Sequence, residues 1–291
     1  LLIKVPDFRF KDIQIEEDLI EEIIRIYGLS NIQMELPDIK MDFSESIPSF
    51  PLEQKIKNIL AQHAHETIHY SFLGLDLLEK IGEEKMPKRI EILNPLGEEH
   101  RYMRSSLAPY LLGSIAKNSR HEEKFALYEF GKVFHLNENR QVQETKHLAY
   151  ASYDSSFYET KEVLQQLFQE IDMKIQLKEA KEIPKYSHPG QVAEIHFQGK
   201  KIGFISSIHP KILKNFDIQK PLAYFEWNFD ALAHAKRKPK QHLSVNKFPS
   251  ISRDQNFILD RKILAEDFMK KIQKGVAHLS SLEIKDIYEG E

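Results

Sequence analysis

The sequence predicts an α+β fold. Three observations carry that expectation. Strand-like stretches fall largely in antiparallel neighbours, with helices interspersed rather than in strict β-α-β alternation. Residues 193–197 alternate apolar and polar positions, and after the polar turn Gln198-Gly199-Lys200 the chain returns as 202–206, the pattern of a hairpin. The run ALYEFGKVF at 126–134 is apolar and aromatic with Glu129 and Lys132 as its charges, and a polar turn at 137–140 leads to a second strand at 147–153. Such a strand pair forms a platform on which a ligand can lie.

Composition bounds the rest. At 291 residues the chain exceeds one typical core, so two or more domains are expected. Hydrophobic residues make up 41% and charged residues 29%, and no apolar run approaches the roughly 18 residues of a membrane span. The opening LLIKVPDFRF lacks the basic-then-apolar order of a signal peptide. Cysteine is absent, which excludes disulfides and thiolate metal sites and, with no export signal, predicts a cytoplasmic setting. With 41 basic against 44 acidic residues the net charge is −3, so any RNA contact must be local. Both ends interrupt a pattern, and the chain is expected to be a fragment of something longer.

In order, residues 1–6 read as a short strand and 12–28 as an acid-rich helix. Leu19, Ile20, Ile23, Ile24, Ile26 and Tyr27 share one face, and Gly28 supplies the stop. Asp18, Glu21 and Glu22 share a stripe onto which Asp12 can fold; they suit either a hard cation such as Mg²⁺ or a solvated first turn complementing the helix dipole. Residues 29–50 are a polar linker. Pro51 opens a helix that buries Leu52, Ile56, Ile59 and Leu60. His63, His65 and His69 follow; they are zinc ligands or, more simply, surface and helix-end histidines.

A strand at 68–72, a helix at 75–81 ending on Gly82, and a strand at 89–93 come next. Arg101 and Arg104 precede a helix at 105–118 that carries Pro109 in its first turn and faces Leu107, Leu111 and Ile115 inward. Two arginines beside a strand suit a phosphate, or pair with carboxylates such as Glu98 and Glu99. Beyond the strand pair, residues 157–171 form a helix burying Val163, Leu164, Leu167, Phe168 and Ile171, His209-Pro210 opens a short helix, and 222–229 is a strand holding the sole tryptophan, Trp227. The basic run at 236–240 is a linker or an RNA contact. Residues 256–259, 265–276 and 282–288 read as β-α-β, too short to bury a core well alone. Phosphate loops, dinucleotide glycines, the serine-nucleophile elbow and the zinc-protease motif are all missing.

Five stretches, in one order, resemble the beta subunits of bacterial phenylalanyl-tRNA synthetases: DIQIEEDLIEEIIRIYGL (12–29), NPLGEEHRYMRSSLAPYLLGSIAKN (94–118), ALYEFGKVF (126–134), HPGQVAEIHFQGKKIGFISSIHPKIL (188–213) and FPSISRDQNFILD (248–260). The resemblance implies the end of a small Mg²⁺-binding module at 1–28, a linker at 29–48, a degenerate class II synthetase-like domain at 49–235 (an antiparallel sheet flanked by helices), a linker at 236–245, and half of a ferredoxin-like anticodon-binding domain at 246–291. It implies that editing and N-terminal tRNA-binding modules lie upstream, and that relatives carry a longer insertion near 154–157. By the family's spacing, Asp12, Asp18, Glu21 and Glu22 would bind Mg²⁺ shared with an alpha subunit, although Lys11 displaces Arg9 by one residue.

Within the class II scheme, ATP is held by an arginine after the second-motif strand and by another in a glycine-rich third motif, which offset phosphate charge. His135 stands near the first position, Glu226 and Asn228 replace the glycines, and Ala231 replaces the second arginine. The resemblance therefore implies no catalytic residue here. ATP, phenylalanine and the acceptor end would belong to the alpha subunit, and this chain would assemble a heterotetramer and position tRNA-Phe. The alternative is a stand-alone synthetase-like protein that binds a nucleotide or amino acid through Arg101 and Arg104.

Overall fold

The computed structural model describes residues 2–35, 49–83, 89–233, 235, 249–260, 263 and 265–288. It divides into two compact units, Leu1–Ala235 and Lys236–Glu291.

Residues 2–6 form no strand; they lead into a 3-10 turn at Asp7–Arg9. The first helix, α1 (Glu16–Tyr27), starts later than the apolar periodicity suggests. The Asp18 carboxylate takes the N–H groups of Gln14 and Ile15 (2.8 and 3.0 Å), which fixes the N-terminus there. The helix ends on Gly28 at φ 91°. Ile20, Ile23, Ile26 and Tyr27 are exposed.

Next come α2 (Phe50–Leu60), β1 (His65–Glu66), β2 (Phe72–Leu73), α3 (Leu75–Lys80), β3 (Tyr102–Met103) and α4 (Ala108–Asn118). The expected strand at 89–93 reduces to one bridge, Glu91 to Tyr102, on the free edge of β3, which is only two residues long. The hairpin strands β4 (Phe125–Leu136) and β5 (Val142–Tyr153) exceed the expected lengths; their ladder runs unbroken from Phe125–Tyr153 to Leu136–Val142. α5 (Phe157–Glu170) begins on Ser156, which exchanges capping bonds with Glu159. Then follow β6 (Ile175–Glu179), β7 (Ser187–Phe197), β8 (Lys200–Ile208), α6 (Pro210–Asn215), β9 (Leu222–Asn228) and α7 (Asp230–Ala233).

These strands make a seven-stranded sheet in the order β1-β4-β5-β9-β8-β7-β6, antiparallel except for β1 against β4. A hairpin and a four-strand meander are joined where β9 pairs with β5. At Gly203 a Cβ would overlap the Glu226 carbonyl, so only glycine lets β8 lie this close to β9. One sheet face packs Tyr150, Ile205, Phe225 and Trp227 against α2 and α5. The other packs Leu127, Ala149, Ala151 and Tyr224 against α4 and α6, with Ile81 at the end of α3. The sheet is thus covered by helices on both sides.

In the second unit, α8 (Ala265–Gly275) forms as expected, and Phe257 packs edge-on against Phe268 (5.0 Å). Residues 256–259 and 282–288 form no ladder, correcting the expected strands. Two short extended segments make a stable sheet only with further strands or a covered face. The basic run at 236–240 and most of the expected linkers at 29–48 and 236–245 lie outside the described residues.

Candidate functional site

The α4-covered sheet face carries a row of carboxylates. Register fixes it: Glu129 pairs with Ala149, Ala149 with Glu226, Glu226 with Phe204, and Phe204 with Glu194. Directly opposed residues share a face, so Glu129, Glu226 and Glu194 stand in one line across five strands. All three are buried, at 1%, 3% and 5% exposure. A buried carboxylate persists only when donors surround it, and here each has its own set.

Glu226 accepts from the Ser106 hydroxyl (2.7 Å), the Tyr224 phenol (2.6 Å), His147 Nδ1 (2.8 Å) and the Leu107 N–H (3.3 Å). Because the Ser106 proton goes to Glu226, the Tyr186 hydroxyl 3.2 Å away donates to Ser106. Burial alone raises the Glu226 carboxyl; His147, Tyr224 and Ser106 outweigh it and hold the group below the ordinary carboxylate range. Burial, then the Glu226 charge, pushes the Tyr224 phenol well up, so it stays a donor. Glu129 accepts from Arg104 Nη1 (2.7 Å) and His69 Nδ1 (2.6 Å), while Ser114 lies 2.7 Å from His69 Nε2. Arg104 also donates to the Lys132 carbonyl (2.8 Å). Gly131 makes room for this guanidinium, since a Cβ there would strike it.

Glu194 is held by Lys201 (2.9 Å) and His196 (2.8 Å), and Lys201 above all brings its carboxyl down to about 2. A depressed folded-state pKa contributes stability that is full above the ordinary 4.5 and is lost as pH falls toward 2. Glu194→Gln is therefore expected to flatten the acid-side fall of the thermal midpoint between pH 4.5 and 2, relative to the unsubstituted chain. Parallel slopes would show that Glu194 is not the group responsible.

The positions singled out in the sequence lie around this row. His135 is exposed at the far end of β4, its ring 6.5 Å from that of His147. Asn228 pairs with His147 at the end of β9, and its side-chain oxygen accepts the Ala231 N–H (3.2 Å), which starts α7. Ala231 is exposed. Arg101 pairs with Glu98, an expected neighbour, and with Glu91, ten residues back, both at 3.0 Å. Arg104 pairs instead with Glu129, 25 residues away, which local spacing did not reveal. Of the three histidines, His69 joins the Glu129 cluster, His65 lies on β1 and His63 follows α2.

The acidic set near the N-terminus is arranged otherwise. Arg9 bridges Asp12 (2.6 Å) and Glu22 (2.6 Å), and Arg25 takes the other Glu22 oxygen (2.6 Å). Asp18 spends one oxygen on the α1 cap, and Glu21 is exposed. Among the described residues no group of three or more histidine or acidic side chains is close enough together to hold a metal. The Arg9 guanidinium stands between Asp12 and Glu22, so a cation bridging these two carboxylates has to displace it.

Comparison with known proteins gives two family matches. The family model for the phenylalanyl tRNA synthetase beta chain CLM domain matches residues 32–229, and that for the tRNA synthetase B5 domain matches residues 1–29. The chain is 32% identical over 311 residues to the phenylalanine–tRNA ligase beta subunit of Carboxydothermus hydrogenoformans, spanning 100% of this chain and 38% of that protein. It is 34% identical over 304 residues to that of Francisella tularensis, covering 98% and 37%, and 30% identical over 300 residues to that of Clostridium tetani, covering 100% and 38%. The chain thus spans less than two-fifths of the length of these relatives.

Proposed function

The chain belongs to the family of phenylalanyl-tRNA synthetase beta chains, and from that we propose that it is a non-catalytic, assembly and tRNA-positioning part of a phenylalanine–tRNA ligase. In this reading the seven-stranded sheet is a degenerate class II synthetase-like platform, and residues 246–291 belong to a ferredoxin-like anticodon-binding domain. An alpha subunit binds ATP and phenylalanine and completes a cytoplasmic heterotetramer. Among the described residues no helix is long and apolar enough to cross a membrane.

The observation that carries this reading is the carboxylate row. A site that forms an adenylate needs fixed cations where phosphate charge develops. Here Glu129, Glu226 and Glu194 line the sheet face, and Arg104, the buried guanidinium beside them, is already paired at 2.7 Å. Arg101 is engaged as well, so the alternative of nucleotide binding through these two arginines requires breaking existing pairs. The chain alone is expected to show no ATP–pyrophosphate exchange and to co-purify with an alpha subunit of the same ligase. Exchange activity without that subunit would overturn the reading.

Mg²⁺ shared with the alpha subunit at Asp12, Asp18, Glu21 and Glu22 belongs to this reading on one condition: cation and Arg9 compete for Asp12 and Glu22. Arg9→Ala is expected to tighten Mg²⁺ binding in calorimetric titration. Equal binding in both proteins would mean that these carboxylates form no cation site in the chain.

A further inference from the structure

Away from the carboxylate row lies a cleft of about 580 Å³, lined among others by Glu79, Gly82, Lys185, His209, Lys211 and Asn215. Register builds it. Ser187 at the start of β7 pairs with Ile208 at the end of β8, so the His-Pro dipeptides at 188–189 and 209–210 sit diagonally across that pair, with His209 opposite Tyr186. The His188 and His209 rings stack with centroids 6.1 Å apart and planes 28° apart. Each ring uses Nδ1 as an acceptor: His188 takes the Gly190 N–H and His209 takes the Lys211 N–H, both at 3.1 Å. A neutral imidazole accepting at Nδ1 carries its proton on Nε2, so both rings are locked as Nε2–H donors.

Charge at the cleft is unbalanced. Lys185 and Lys211 are exposed ammonium groups, and Glu79 is the exposed carboxylate among the lining residues. Glu83 also feels Lys185, but it is buried and its carboxylate lies 3.9 Å from the Arg89 guanidinium, which offsets its charge. Two point cations and a fixed N–H donor around a concave space suit a tetrahedral oxyanion, which accepts from several directions at once.

We propose that this cleft is an anion subsite that seats a phosphate group of an RNA backbone. Phosphate is the ligand that the donors specify; RNA as its source rests on the reading of the chain as part of a tRNA ligase. In a protein of net charge −3, a local site of this kind is also what electrostatic contact with a polyanion requires.

The test is fluorescence anisotropy of a labelled short RNA stem-loop with the full chain, across a salt series. The variants are Lys185→Gln/Lys211→Gln and Glu79→Gln; all three side chains are exposed, and unchanged Trp227 emission certifies the fold. The double variant is expected to bind about tenfold more weakly, and each lost phosphate contact to flatten the log–log salt slope by roughly 0.7–0.9. Glu79→Gln removes a repelling charge and is expected to bind more tightly. Three results would each overturn the proposal: a double variant that binds RNA like the unsubstituted chain; inorganic phosphate or pyrophosphate binding through these lysines while RNA does not; or a labelled polyglutamate peptide binding through them in place of RNA. None depends on ATP–pyrophosphate exchange, so failure here is separable from failure of the assembly reading.

Discussion

Arg104→Met is expected to destabilise the Leu1–Ala235 unit by about 3–5 kcal/mol, the range for stripping one partner from a buried ion pair. Arg104 is 3% exposed and its partner Glu129 is 1% exposed. Without the guanidinium, Glu129 keeps only its bonds from the His69 ring and N–H, and the Lys132 carbonyl loses a donor. Urea unfolding followed by Trp227 emission measures the effect, because that indole is fully buried in the same unit. The diagnostic comparison is Arg104→Met/Glu129→Met. Removing both charges leaves no orphaned carboxylate, so the double variant is expected to be more stable than Arg104→Met alone. A double variant that is worse by the sum of the singles would mean that the pair is not coupled.

Glu226→Leu is expected to cost a similar amount, about 3–5 kcal/mol, for the complementary reason. It leaves four donors unmade in a space closed by α4: the Ser106 and Tyr224 hydroxyls, His147 Nδ1 and the Leu107 N–H. Glu226→Gln, of equal size, is expected to be milder, since its carbonyl still accepts while its amide meets hydroxyls that can turn. The pH dependence separates charge from packing. The Glu226 carboxyl titrates below its ordinary 4.5 in the folded chain, so its contribution is present above that pH and fades as pH falls through the folded value. Both variants are expected to lose that part of the acid sensitivity. Variants that keep it would assign the sensitivity to other carboxyls.

Much of the architecture was legible because it rests on local periodicity. The α2 stripe Leu52, Ile56, Ile59 and Leu60 is buried as its spacing required, as are Leu164, Leu167 and Phe168 of α5. The strand pair around ALYEFGKVF, the hairpin at Gly199 and the strand holding Trp227 all form. Where the reading failed, the deciding partner was remote. Strand β6 (Ile175–Glu179) was not expected; it forms by pairing with β7, from Ile175 opposite Phe197 to Glu179 opposite Ala193. Residues 256–259 and 282–288 have strand composition but no ladder. For Asp12 and Glu22 spacing left a cation and a solvated turn both open, and folding places the Arg9 guanidinium between them.

By itself the sequence determined most of the helices, the central strands and the family-like order of the five stretches, and it raised the expectation that His135, Glu226, Asn228 and Ala231 are substitutions where a nucleotide-activating site would place arginines and glycines. Only the tertiary structure decided what those substitutions do. Glu226 reads locally as one polar residue in an apolar strand. Pairing across β4, β5, β9, β8 and β7 turns it into the middle of a buried carboxylate row, with donors drawn from as far as 120 residues away. Side-chain period and turn chemistry are properties of neighbours along the chain. A carboxylate's charge state and partners belong to the space it is folded into, and long-range register alone sets that space.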